Sequence, residues 1–300
     1  MIYEDYFYVA GISMEEKDKG SFLNKVLEVL GPFLLYYVVC NIAFLIIFFL
    51  YSEVTEHFSA GVQGYTEEYI TMVTQVVNTI SMLVAVLPLV PMLRRELENR
   101  ATSEPYHTPK TAHATQQGGR IRYMVLSGLL VMLLAASSSI GLNILLSLTG
   151  LVQFSAAYQE VARQQYGVVF VVGAILFGLI SPIIEEIVFR GVIYNRMRRH
   201  CPTAVAIVLS GLLFGVYHGN LVQGLYGGCM GILLAYTYEK IRSFFIPCLF
   251  HATANLVVYT LAQNEELHVR LFTVHGCIIL LVISVICIFM LEKPQCILRL

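Results

Sequence analysis

Glu185, Glu186 and Arg190 stand within six positions of one another in the run Ile-Ser-Pro-Ile-Ile-Glu-Glu-Ile-Val-Phe-Arg, residues 180–190, which is otherwise apolar enough to cross a bilayer. A charged side chain at mid-membrane costs at least ~2.5–3.5 kcal/mol on insertion scales, so three of them need partners, water or a task. Glu186 and Arg190 are spaced i,i+4, and one helical turn lets them face each other and largely cancel. Glu185 is turned by about 100° from Glu186, at about 3.6 residues per turn, and has no cation of its own in that arrangement. A carboxylate stripped of water and of a counter-charge is the state wanted in a general base. A buried ion pair that only ties helices together would account for Glu186 and Arg190, but it leaves the second glutamate unexplained.

Two further groups carry chemistry. Phe214 and His218 form Phe-x-x-x-His, and His251 and Asn255 form His-x-x-x-Asn, each inside an apolar run. The i,i+4 spacing puts His251 and Asn255 on one helix face. Counting ~1.5 Å per residue from the helix ends that carry the basic residues, Glu185 lies ~16 Å deep, Arg190 ~9 Å, His218 ~22 Å, His251 ~12 Å and Asn255 ~18 Å. All fall in one slab of a ~30 Å hydrocarbon core. A lone helical histidine is usually structural. Two histidines, an asparagine and two glutamates at matched depth on three helices ask for more than packing.

The elements that must position these groups are membrane helices. Of 300 residues, 57% are hydrophobic and 13% charged, and mean hydropathy is +0.71, an excess that a soluble core does not need. The composition predicts an all-α polytopic membrane protein. Eight spans are expected, near Pro32–Tyr51, Tyr69–Leu93, Tyr123–Leu148, Gly167–Asn195, Thr203–Asn220, Leu221–Tyr238, Phe244–Leu261 and Leu271–Leu291. Residues 1–25 are too long and too acidic for a signal-peptide n-region. The polar stretch Arg94–Arg122, with Pro105, Pro109, Gly118 and Gly119, predicts a flexible loop. The chain then divides into residues 1–122, a cytoplasmic segment with two spans and this loop, and 123–300, a six-helix core. Gly211, Gly215 and Gly219 repeat at four, as do Gly224 and Gly228, and Gly227 and Gly231, a spacing that lets helix backbones approach closely in lipid.

Charge placement sets the orientation. Sixteen of the nineteen Lys and Arg residues fall on one side of an eight-span chain. They lie in 17–25, 94–122, 196–199, 240–242 and 293–299, whereas Arg163 and Arg270 lie on the other side and Arg190 within the membrane. The positive-inside rule puts both termini in the cytoplasm. The net charge of −1 says nothing about partners, and the sequence carries no nucleic-acid signature, so no nucleic-acid partner is expected. The seven cysteines are Cys40, Cys201, Cys229, Cys248, Cys277, Cys287 and Cys296; they form no CxxC and read as small apolar residues. Cys296 is fifth from the end, one place off a prenylation box.

The ordered set Glu-Glu-x-x-x-Arg (185–190), Phe-x-x-x-His (214–218) and His-x-x-x-Asn (251–255) resembles the CPBP family. These are the CAAX prenyl endopeptidases of Ras-converting type together with bacterial bacteriocin-processing or immunity proteins, also called Abi. The resemblance covers about residues 167–262, and every motif position matches. It implies an integral, multi-pass endopeptidase of a bacterial cell membrane that works without a cofactor. Its substrate would be a peptide, a prenylated protein or a leader-peptide protein, met in the lipid bilayer. It further implies that Glu185 with His218 activates a water, that His251 and Asn255 stabilise the oxyanion, and that Glu186 and Arg190 shape the site.

The residues leave other readings open. Two histidines and a glutamate are a usable zinc set, although no His-Glu-x-x-His occurs. An immunity or partner-binding protein could keep the same polar core without catalysis. Intramembrane Glu and His also mark proton-coupled carriers, although no inverted repeat is evident.

Overall fold

The computed structural model describes residues 4–58, 66–103 and 117–293, with side chains described for 21–55, 66–102, 121–264 and 266–293. Helix follows helix: α1 (Glu4–Phe58), α2 (Glu67–Thr102), α3 (Gln117–Leu148), α4 (Ala156–Tyr166), α5 (Phe170–His200), α6 (Thr203–Tyr217), α7 (Leu221–Ile241), α8 (Phe245–Ala262), α9 (Glu265–Leu271) and α10 (Val274–Glu292). Six of them are long and apolar enough to cross a membrane: α1, α2, α3, α5, α8 and α10. The protein is therefore an all-α polytopic membrane protein. Helices alone satisfy their backbone groups within one segment, which is what a bilayer demands of a spanning element.

The outer surfaces are greasy because lipid, not water, meets them. Leu34, Leu45 and Phe49 of α1 and Ile278, Val282 and Val285 of α10 point outward and are exposed. The centre is packed around Leu89, Leu134, Val188, Phe189, Tyr194 and Phe250. Between α3 and α10 the glue is polar and small: Ser137 and Ser284 share a hydrogen bond of 2.9 Å between their hydroxyls.

The glycine repeats pack α6 against α7 backbone to backbone. A Cβ at Gly211 would stand 2.7 Å from the amide nitrogen of Ile232, and one at Gly215 would run into the carbonyl oxygen of Gly224. The α6 arm is short, whereas α7 has 21 residues. Fifteen residues of α6 rise about 22 Å, less than a ~30 Å hydrocarbon core. The chain reverses at Gly219, φ +74°, a left-handed conformation that costs glycine nothing. Asn220 then caps α7 by accepting from the Gln223 amide at 2.9 Å.

Basic helix ends meet in one layer. Arg199 and His200 at the end of α5 bind Glu28 of α1 at 2.6 and 3.0 Å. Arg196 and Arg199 bind Glu96 of α2 at 3.0 and 2.5 Å. Arg100 of α2 pairs with Glu239 of α7 at 2.8 Å, and Lys240 with Glu292 of α10 at 2.5 Å. At the other end of the bundle, Arg163 of α4 bridges Glu67 of α2 at 2.8 Å.

The expected loop differs from what the chain does. Residues 94–103 continue α2, and 117–122 begin α3. Arg100 explains the first extension, because its partners Glu239 and Asn195 (3.0 Å) hold it to the bundle. The middle of that stretch, 104–116, lies outside the described residues, as does Cys296.

Candidate active site

The acidic helix α5 is not a uniform α-helix. Widened, π-type turns occupy Leu176–Ile180 and Ile187–Tyr194, on either side of the α-helical turn Ser181–Glu186. The first widening sits before Pro182. In it the Ser181 N–H bonds to Leu176 O, five residues back. The same register would ask residue 182 to serve Phe177 O, but proline has no N–H. Asn255 of α8 supplies the missing donor, its Nδ2 reaching Phe177 O at 2.9 Å.

Glu186 and Arg190 are both sealed from solvent and bonded at 2.9 Å. The second arm of the guanidinium donates to Gly231 O of α7 at 2.9 Å. A side chain at Gly231 would stand 2.9 Å from the Gly211 Cα, so the small-residue seam also gives Arg190 its carbonyl. The Phe214 ring supports this arrangement from below: Arg190 lies over it at 4.6 Å, and His218 and His251 meet it edge-on at 4.8 and 5.5 Å. A cation over a ring face is attracted by the ring quadrupole.

His251 stands between the two glutamates. Its Nδ1 is 2.8 Å from Glu186 Oε1 and its Nε2 is 3.7 Å from Glu185 Oε2. The carboxylate of Glu186 can only accept, so Nδ1 carries the hydrogen. His218 is oriented in the same manner. Its Nδ1 is 2.8 Å from the Phe214 carbonyl oxygen, which again accepts, and in the neutral ring this leaves the lone pair on Nε2.

The two carboxylates differ in access. Glu185 retains 13% of its side-chain exposure, Glu186 none. Glu185, His218, His251 and Asn255 all line one cavity of about 330 Å³. Phe214 lines it as well, whereas Glu186 and Arg190 lie behind the wall. All the residues singled out from the sequence thus converge, Glu185, Phe214, His218, His251 and Asn255 on the cavity and the pair Glu186–Arg190 beneath it. Among the described residues, no three His, Cys, Asp or Glu side chains are grouped to hold a metal ion.

Other parts of the site carried no motif. Gln75, Asn78 and Met82 of α2 line the cavity, as do Tyr158, Gln164 and Gln165 of α4. The carbonyls of Phe177 and Gly231 are backbone groups, invisible in any side-chain pattern. The one available signal was the polar composition of 153–166, a stretch too short to span.

Residues 167–257 match the family described as Type II CAAX prenyl endopeptidase Rce1-like. A protein of Bacillus subtilis (strain 168) named "Putative membrane peptidase YdiL" is 29% identical over 84 residues, which are 28% of this chain and 34% of that protein. The chain thus spans about a third of the length of the curated relative it matches. No solved structure matches it. Every motif residue from Glu185 to Asn255 lies inside the matched stretch.

Proposed function

We propose that this chain is an intramembrane endopeptidase in which Glu185 is the general base. The observation that carries the reading is the inequality of the paired glutamates: Glu185 faces the cavity, whereas Glu186 is closed off with Arg190 and His251. Burial and ionic pairing keep Glu186 occupied, so Glu185 is the carboxylate free to exchange a proton with a water. The His218 Nε2 lone pair accepts from that same water. As the water oxygen bonds to the scissile carbonyl carbon, its proton passes to Glu185. When the C–N bond breaks, that proton goes to the leaving nitrogen.

The oxyanion formed between these steps needs donors. His251 turns its Nε2 edge toward Glu185, 3.7 Å away, and contributes from that side. Asn255 offers its second amide hydrogen, the first being held by Phe177 O. The match to a CAAX prenyl endopeptidase family and to a protein named as a membrane peptidase supports the reaction class. Both termini on the side of the basic helix ends, in the cytoplasm, complete the proposal.

The test is a peptide library offered in detergent to the intact protein and to Glu185→Gln, read by mass spectrometry. The expected result is defined cleavage by the first and its loss in the second. Equal cleavage by both, or none by either while the protein still binds a membrane partner through this face, replaces the peptidase with a partner-binding protein.

A further inference from the structure

A general base needs something to hold it in place. Glu185 faces the cavity, and its contact with His251 Nε2 spans 3.7 Å, longer than a hydrogen bond. Catalytic groups must be fixed, because a misplacement of about 1 Å is felt in the rate.

Tyr217 stands where a donor to Glu185 could be placed. It ends α6, next to His218, and lines the same cavity as Glu185. Its ring is held on three sides: edge-on to His218 at 5.6 Å, edge-on to Phe33 of α1 at 6.1 Å, and tilted on Phe189 of α5 at 5.4 Å. A phenol clamped in this way keeps one freedom, the direction of its O–H. Glu185 is among the charges that act on it.

Behind Tyr217 stands Tyr36 of α1. Phe33, Tyr36 and Cys40 recur at three and four residues and share one helix face, packed on the core. Leu34, Leu35, Tyr37 and Val38 of the same helix are exposed. The Tyr36 side chain is 1% exposed, and its ring lies 6.5 Å from that of Tyr217. Its hydroxyl makes no hydrogen bond among the described residues. Tyr217, Cys40 and Glu185 lie within its electrostatic reach. A buried, unbonded hydroxyl weakens a fold, and phenylalanine would fill the same space without it. Such a group calls for an explanation outside packing.

We propose that Tyr217 is a positioning residue for Glu185 and that Tyr36 aims it. An ionised carboxylate only accepts hydrogen bonds, so Tyr217 donates to Glu185. The Tyr217 oxygen then accepts from the Tyr36 O–H, which sets the direction of the chain from α1 through α6 to α5. Hydrogen bonds at catalytic groups tighten once substrate is bound, and closing these two gives the Tyr36 hydroxyl its partner. This role rests on Glu185 being the general base. Tyr36 lies outside the stretch that matches the family, so α1 brings to the site a contribution that the match does not cover.

Tyr36→Phe, Tyr217→Phe, the double variant and Tyr37→Phe, an exposed neighbour on α1, are compared with the parent, full-length and in detergent. The probe is the library peptide that the parent cleaves fastest, followed for kcat and KM separately, with a melting curve for each protein. Tyr217→Phe should lower kcat about tenfold or more and leave KM within about twofold. Tyr36→Phe should lower kcat several-fold, melt at or above the parental temperature, and cost nothing further in the Tyr217→Phe background. Tyr37→Phe should match the parent. Tyr36→Phe at the parental rate, losses that multiply in the double variant, a change in KM instead of kcat, or an equal loss in Tyr37→Phe each overturns the proposal. A lower melting temperature for Tyr36→Phe does so too, since the hydroxyl would then be bonded in the fold. If Tyr217→Phe does not fold, Tyr36→Phe against Tyr37→Phe decides. No cleavage by the parent, or equal cleavage by Glu185→Gln, removes the general base and this role with it. Normal cleavage by both tyrosine variants beside an inactive Glu185→Gln removes this role alone.

Discussion

Asn255 donates to the carbonyl oxygen of Phe177 at 2.9 Å, the carbonyl that Pro182 leaves without a backbone donor. An asparagine on α8 thereby completes the hydrogen bonding of α5, 78 residues away, and the same contact fixes the amide against the cavity. A buried carbonyl left unpaired costs about 1–3 kcal/mol, so the motif asparagine has a structural duty beside any catalytic one.

Replacing Asn255 with Leu should lower stability by about that amount, read as a fall in melting temperature in detergent. Pro182→Ala restores an N–H beside Phe177. Combined with Asn255→Leu, it should recover part of the loss. A double variant no more stable than Asn255→Leu alone means that Phe177 O is satisfied in some other way.

Glu186 and Arg190 form a sealed pair, and removing one partner of such a pair costs ~3–5 kcal/mol. Glu186→Gln and Arg190→Gln should both melt at lower temperature and express poorly. Glu185→Gln should melt close to the parent yet lose cleavage by ~10²-fold or more. Melting curves and cleavage rates on the three variants check this. An unfolded Glu185→Gln beside a folded, inactive Glu186→Gln would exchange the two roles.

At Gly211, Gly215 and Gly231 the α6–α7 seam admits no methyl group. Gly215→Ala drives a Cβ into the Gly224 carbonyl, and overpacking of this kind costs about 1–3 kcal/mol. Gly31→Ala, where a Cβ meets nothing within 4 Å, should be neutral or stabilising by about 0.5–1 kcal/mol, since glycine weakens a helix interior. Thermal melts of the two should move in opposite directions or differ clearly. A tolerated Gly215→Ala would mean that the hairpin is looser than its backbone contacts.

Cleavage should survive EDTA and phenanthroline, with no stoichiometric zinc in the purified protein. The Nδ1 atoms of His218 and His251 are already engaged, by Phe214 O and by Glu186. Activity abolished by chelation and restored by zinc would make both histidines ligands through Nε2.

Much of this protein was legible because the relevant forces are local. Apolar runs the thickness of a bilayer specify helices whatever their neighbours, and Glu186 finds Arg190 because one helical turn separates them. Glycine at every fourth place predicted the close approach of α6 and α7. The convergence of Glu185, His218, His251 and Asn255 followed from depth counting on three helices. Tertiary structure decided the rest. Which glutamate His251 touches depends on how α8 is rotated against α5, and the answer is both, at 2.8 and 3.7 Å. The widened turns of α5 give no sequence signal beyond Pro182, since they form only where packing repays a shifted hydrogen-bond register. The polar ends of the expected loop became helix because Arg100 finds Glu239, 139 residues further on. The wall supplied by Gln75, Asn78 and Met82 exists because α2 lies against the acidic helix, a choice made by shape complementarity between surfaces and written in no motif.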